Sequence, residues 1–386
     1  MAAKPRFDGE WVRLGELISK AKSKRCGSEI YPVLSMTMHD GIVEQADRFK
    51  KKIASRDTSS YKVVEPGQLV VGFPIDEGVI YVQNYPYPGI MSPAYNVWDI
   101  NGDLIDPAYL ELVLHGPKSM AYYADKMRGT TARRRSLTAD NLCAMRVPLP
   151  SLERQRRVVH LFNTVKDGMA IAGRVVEALD QLVKSRFAEM FGDADHYEML
   201  DQLIMDGTSI SYGIVQPGSD VEGGIGVLRP VDFQAGRVEH GNIKTIDPEI
   251  SGKYSRTVLT GNELLVVVRG ATGDVALSDA SLKGMNVTRG IAVVRYDRNK
   301  IIPEFLVGYL KSDEAQRYIA EHTQGSALKQ INMADLRVQP IKVPSLDLQQ
   351  EFAALVARVD KSRFIVQQQI EKLQMLYDSL AQEYFS

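Results

Sequence analysis

Pro150–Gln155 reads PSLERQ, and Pro344–Gln349 reads PSLDLQ. The two phrases stand 344 − 150 = 194 positions apart in a chain of 386 residues, close to half its length. Solenoid repeats recur every roughly 20–50 residues, whereas a spacing this long holds a whole domain plus a connector. It points to internal duplication. Carried forward at the same offset, Glu177, Leu179, Leu182, Ser185 and Phe191 meet Glu371, Leu373, Leu376, Ser379 and Phe385. EALDQLVKSRFAEMFG and EKLQMLYDSLAQEYFS are thus two versions of one helix. In each copy a proline precedes Ser151 or Ser345, which can cap the first turn. Glu153 or Asp347 then sits near the positive end of the helix dipole.

Apolar positions settle what these helices are. The first segment places Val158, Phe162, Val165, Met169, Ala172, Val176, Leu179, Val183 and Met190 on one stripe, interrupted by Arg186. The second places Phe352, Val356, Val359, Val366, Ile370, Leu373, Tyr377, Leu380 and Tyr384 on another, with Arg363 its polar member. Alternating steps of three and four are the heptad of coiled-coil packing. Each stripe needs a partner, and the simplest partner is the other stripe. With a whole domain between them, the second helix can return antiparallel to the first. At about 1.5 Å per residue, ~36 residues span roughly 55 Å, longer than a small domain's core. Gly168 and Gly173 weaken the first helix and mark a bend or a close crossing. The competing reading is two amphipathic helices, each packed on its own domain.

The segments before each helix echo one another more faintly. WVRLGELI at Trp11–Ile18 resembles YEMLDQLI at Tyr197–Ile204. GQLVVGF from Gly67 and NELLVVVRG from Asn262 read as strands. NVWDINGDLIDPAYLELVL from Asn96 and GIAVVRYDRNKIIPEFLVGYL from Gly290 each read as strand, turn and a helix begun at Pro107 or Pro303. Many short strands with few helices indicate irregular α+β domains. The expected organisation is a domain at 1–148, a spacer helix at 149–192, a second domain at 193–342 and a second spacer helix at 343–386. The fold class is therefore α+β: two irregular mixed domains separated by two long helices packed as an antiparallel coiled coil, a pseudo-two-fold repeat.

Totals narrow the function. A chain of 386 residues is expected to form two or more domains. Its 47 basic and 48 acidic side chains leave a net charge of −1, which excludes holding nucleic acid by bulk charge but not by local patches. Two cysteines, Cys26 and Cys143, supply neither a disulfide framework nor a four-thiolate site and read as buried free thiols of a reducing cytoplasm. The start, MAAKPRFDGEWVRLGELI, has no signal-peptide core, and no stretch reaches the ~20 apolar residues of a membrane span.

Reactive constellations are missing. VVRGATGDVAL lacks the Gly-Lys-Ser/Thr ending of a phosphate-wrapping loop, and no G-x-G-x-x-G follows a strand. His39, His115, His160, His196, His240 and His322 show no metal-ligand spacing. His160 falls on a coiled-coil helix, as a flank residue. No nucleophile elbow appears, and Asp99 and Asp103 read as a turn. What remains is charge in glycine-opened loops: RGTTARRRSLTADNL in the first domain and QGSALKQINMADLRV in the second. Candidate DNA contacts are Lys50, Lys51 and Lys52 in RFKKKIASR, then Arg128, Thr130, Arg133, Arg134 and Arg135, with Asp125 the one acid beside them in sequence. In the second domain they are Arg269, Arg289, Ser326, Lys329 and Gln330. Basic and hydroxyl groups hold phosphate oxygens, while Arg, Lys and Gln also read base edges. The opposing reading is a solvated charged surface.

Two variable domains, each followed by a Pro-Ser-Leu phrase and a heptad helix, resemble the specificity subunit of type I restriction–modification systems. RVPLPSLERQRRVV, IKVPSLDLQQEFAAL, LVKSRFAEMFGD and GIMSPAYNVWDI carry the likeness, which runs through the chain. The resemblance implies two target-recognition domains, each reading one half of a split site in double-stranded DNA, with the helices as the ruler between them. Helix packing would then rest on Phe162, Val165, Met169, Val176, Leu179 and Val183 against Val356, Val359, Val366, Ile370, Leu373 and Tyr377. The resemblance also implies a non-catalytic chain with no metal or cofactor of its own. Two methyltransferase subunits using S-adenosylmethionine, and restriction/translocase subunits using ATP and Mg, would be its partners in the cytoplasm, with no membrane involved. One turn of DNA is about 34 Å, so a ~55 Å helix pair suits two readers a turn apart. Near-neutral charge implies weak binding by the chain alone. Two other classes stay open: a self-contained DNA-modifying or DNA-cutting enzyme, and a coiled-coil adaptor without DNA binding.

Overall fold

A computed structural model describes residues 9–22, 24–38, 40–48, 57–129, 131, 135–234, 237–239, 241, 243–325 and 329–386. The chain divides into two compact units, residues 1–173 with 368–386, and residues 174–367. Two 40-residue helices, Leu152–Phe191 and Leu346–Phe385, contribute to both.

Each unit is built on the same frame. In the first, a four-stranded antiparallel sheet runs Ile18–Lys20, Asn96–Ile100, Leu69–Val71, Ile80–Val82. In the second, the order is Ser211–Tyr212, Ile291–Val294, Leu264–Val267, Val275–Leu277. The runs read as strands from GQLVVGF, NELLVVVRG and the two strand–turn–helix phrases are the central strands of these sheets. Asp99 sits within one of them rather than in a turn, where its carboxylate accepts from Gln68 Nε2 at 2.7 Å. The proline-started helices are Pro107–Leu114 and Pro303–Leu310. Further pairs close each unit next to its long helix: Glu10–Arg13 with Arg146–Leu149, and Tyr197–Met199 with Pro340–Lys342.

The long helices pair antiparallel inside each unit. In the first, Phe162 is fully buried, its ring centroid 5.0 Å from Tyr377 and 5.5 Å from Phe385. In the second, Phe187 and Phe191 meet Phe352 at 5.3 and 5.6 Å. Val165 and Val359 are also buried, while Met169, Val176, Leu179, Val183, Val356, Val366, Ile370 and Leu373 are half-buried along the seam. A Cβ on Gly168 would come within 3.3 Å of Leu373 Cδ1, so this glycine marks a close crossing; nothing approaches Gly173. The first stripe leaves its heptad after Val183: Phe187 and Phe191 are buried, and Met190 and Arg186 lie half-buried beside them. Steps of four replace three-and-four there because the helix turns its face to Phe305 and Tyr309 of the domain core. Arg363, the polar seam position, bonds Asp180 of the facing helix and Asp360 of its own. Such a polar pair opposes a register slip.

The echoed phrase has a physical role. Gln155 and Gln349 end the two copies and are both fully buried. Gln155 Oε1 accepts from the Asp106 amide at 2.7 Å, while Nε2 donates to Pro150 O at 2.8 Å and Leu104 O at 3.1 Å. Gln349 Oε1 accepts from the Ile302 amide at 2.8 Å, while Nε2 donates to Pro344 O at 2.8 Å. Asp106 and Ile302 are the N-cap residues of the two proline-started helices. Each glutamine therefore ties a long helix to its domain through amides that would otherwise be buried unpaired. Of the serines, Ser151 Oγ accepts from the Arg154 amide at 3.4 Å.

Gln349→Leu keeps the size but leaves buried backbone groups without partners. The second unit is expected to lose about 1–3 kcal/mol, read as a lower urea midpoint at unchanged m-value. A loss within error would remove the amide from any part in holding helix to domain.

Cys26 and Cys143 are free thiols; Cys26 is buried, but Cys143 is half-exposed. Burial and the Asp140 charge push the Cys143 thiol up. Among the described residues, no helix is long and apolar enough to cross a membrane.

Candidate nucleic-acid interface

In the second unit four of the five residues singled out in sequence are brought to one place. Strand Leu264–Val267 runs on into Arg269 and Gly270, and the residues before strand Ile291–Val294 are Arg289 and Gly290. Val268 N donates to Gly290 O at 2.8 Å, so Arg269 and Arg289 flank one inter-strand junction. On the other side a short hairpin, Thr323–Gln324 with Gln330–Ile331, returns alongside. Ile331 N donates to Val268 O at 3.0 Å and Gly270 N to Lys329 O at 2.9 Å. An antiparallel bridge joins Arg269 to Gln330. Two glycines permit these turns: Gly270 and Gly325 have φ of 92° and 102°, a region where a side chain would be strained.

The positions differ in exposure. Arg289, Lys329 and Gln330 are exposed, whereas Arg269 is half-buried. Arg269 Nε is buried and has no hydrogen-bond partner among the described residues. Ser326 lies outside the described residues.

A carboxylate anchors the start of the strand leading to Arg269. Glu263 is fully buried and accepts from Ser278 Oγ at 2.7 Å, Thr260 Oγ1 at 2.7 Å and the Gly261 and Asn262 amides. Burial works to raise its pKa, but the hydrogen bonds outweigh that and hold the carboxyl below the usual range. The strand therefore begins on a fixed turn, and its far end is held in place.

The first unit presents the matching scaffold with other side chains. Arg128 and Ser136 form the counterpart of the hairpin, with reciprocal bonds of 2.9 and 3.1 Å, and Gly129 has φ of 91°. Ile75 N donates to Arg135 O at 2.9 Å, as Gly270 N does to Lys329 O, so Pro74 occupies the place of Arg269. Arg128 is exposed. Arg135 is instead held by Asp76 and Glu77, with only 22% of its side chain exposed. In sequence, Asp125 is the acid beside this basic run. The opposing acids come from a turn about 60 residues earlier, and Asp125 itself pairs with Lys126 at 2.9 Å. Lys50, Lys51, Lys52, Thr130, Arg133 and Arg134 lie outside the described residues. Pro74 and the Asp76–Glu77 turn were not singled out from sequence; only the alignment of the two units' hydrogen bonds reveals their place.

Among the described residues, no group of three or more His, Cys, Asp or Glu side chains is placed to hold a metal ion. His160 is exposed on the first long helix.

Comparison with known proteins places the frame. Residues 220–375 match the model of the type I restriction modification DNA specificity domain. The specificity subunit of the type I restriction enzyme EcoBI from Escherichia coli is 26% identical over 220 residues, covering 54% of this chain and 44% of that protein. The putative type I restriction enzyme MjaX specificity subunit of Methanocaldococcus jannaschii is 24% identical over 277 residues, covering 67% and 63%. The matched stretch is thus about half the length of these relatives. A chain solved in work on complex assembly and conformational transition of the type I R-M system shares the fold. Its TM-score is 0.61 at 18% identity, over 98% of both chains. The type I restriction-modification S subunit from M. genitalium gives a TM-score of 0.55 at 11% identity, over 100% of this chain and 98% of that one. The duplicated α+β frame and paired long helices thus accompany a match to the type I restriction modification DNA specificity domain over residues 220–375, and the chain is similar to specificity subunits of type I restriction enzymes.

Proposed function

We propose that this chain is the non-catalytic DNA-recognition subunit of a type I restriction–modification complex. Each domain, 1–148 and 193–342, reads one half of a bipartite site. The helices at 149–192 and 343–386 set the gap and offer docking surface to methyltransferase and restriction subunits, which bring S-adenosylmethionine, ATP and Mg. One observation carries the reading. Arg269, Arg289, Lys329 and Gln330 come from three separate segments to adjoining backbone positions at one end of strands Leu264–Val267 and Ile291–Val294, inside the stretch that matches a DNA specificity domain. Cations and an amide so gathered suit phosphate oxygens and base edges. In the first unit exposed Arg128 is taken as a DNA contact, and from the sequence alone Thr130, Arg133, Arg134, Lys50, Lys51 and Lys52 are added to it. Arg135 there steadies the loop through Asp76 and Glu77.

The test is methylome sequencing of the host with and without this gene. A bipartite motif with a constant gap is expected to lose its methyl mark when the gene is deleted. An unchanged methylation pattern would overturn the assignment and favour an adaptor without a DNA role.

A further inference from the structure

We infer that Arg269 is a specificity-determining residue, reading a paired acceptor on a guanine edge within the half-site of the second unit. The inference rests on the DNA-recognition reading above and goes beyond it by naming the base and the residue. Arg269 differs from its basic neighbours. Arg289 and Lys329 stand exposed, as suits contact with phosphates along a backbone, whereas Arg269 is half-buried. Its backbone is held on both sides, through Val268 N to Gly290 O at 2.8 Å and through the bridge to Gln330. Its Nε–H is buried with no acceptor among the described residues. A guanidinium stays protonated, so a desolvated donor of this kind is a standing cost that a ligand bringing acceptors relieves. Two acceptors side by side match the planar fork. Guanine offers O6 and N7 in the major groove in that spacing, and a phosphate offers two oxygens. A half-buried arginine on a backbone held on both sides favours the base edge, because discrimination needs a donor with less room to follow the phosphate backbone. The first unit has Pro74 at this place, which offers no donor. The guanine is therefore expected in one half-site only.

The test uses the complex purified through a tag on this full-length chain and a randomised duplex library. The wild-type complex is expected to select a guanine in one half-site. Arg269→Ala is expected to lose that preference on the order of 5- to 150-fold at the one base pair, with selection elsewhere and the salt slope kept. Arg269→Gln should shift the preference toward adenine, whose N6 and N7 suit an amide; this arm needs a folded, selective variant and so guards against simple misfolding. Uniform weakening, with a salt slope shallower by about 0.9, would assign Arg269 to a phosphate and overturn the proposal. Unaltered selection by both variants would overturn it too. If the wild-type complex selected no sequence at all, the DNA-recognition reading itself would fall.

Discussion

Phe162→Ala is expected to cost the first unit about 3–5 kcal/mol. Phe162 is fully buried between the end of the other long helix and the domain core, against Tyr377, Tyr384 and Phe385. Removing its ring opens a cavity whose walls belong to a helix pair and a sheet, which cannot close together without losing register. Edge-to-face contacts worth roughly 0.5–1.5 kcal/mol each disappear as well. Phe352→Ala should do the same to the second unit, where the ring meets Phe187 and Phe191, and a Cβ on Gly308 would come within 2.9 Å of it. Urea unfolding followed at probes in each unit would show one transition shifted and the other less so. If Phe162→Ala lowered the first unit by less than about 1 kcal/mol, its burial would contribute little and the helix would be held by its domain through other contacts.

Arg289→Ala combined with Lys329→Ala is expected to flatten the salt dependence of DNA binding by roughly 1.8, twice the ~0.9 per phosphate contact. Both side chains are exposed where two strand ends and the hairpin converge. Loss of affinity should be largest at low salt and similar for all duplexes, since phosphate contacts carry no sequence. The measurement is equilibrium binding of target and scrambled duplexes between about 50 and 200 mM salt, for the tagged complex and for the isolated chain. At a net charge of −1 the isolated chain is expected to bind more weakly than the complex. An unchanged slope in the double variant would move these residues off the DNA surface. Equal affinity of chain and complex would refute the idea that partner subunits complete the grip.

Much of the frame is visible in one dimension because its signals are local or periodic. The heptad stripes, the proline-started helices and the strand runs follow from residue spacing alone. The PSLERQ and PSLDLQ echo, read only as the start of a helix, holds in Gln155 and Gln349 a contact that spans about 50 residues; spacing cannot announce a partner so far away. The break of the heptad at Phe187 has the same origin. A helix takes its buried face from whatever it packs on, and here the domain core displaces the helical seam.

By itself the sequence determined the duplication, the antiparallel pair of long helices, the α+β character of the domains and the segments that carry cationic loops. Only the tertiary structure decided which of those cations remain available. It neutralised Arg135 with Asp76 and Glu77, gathered Arg269, Arg289, Lys329 and Gln330 from three segments, and left Arg269 Nε without an acceptor among the described residues. The physical reason is that periodicity records which face of an element is buried. Charge pairing and desolvation depend on neighbours that the chain brings together only when it folds.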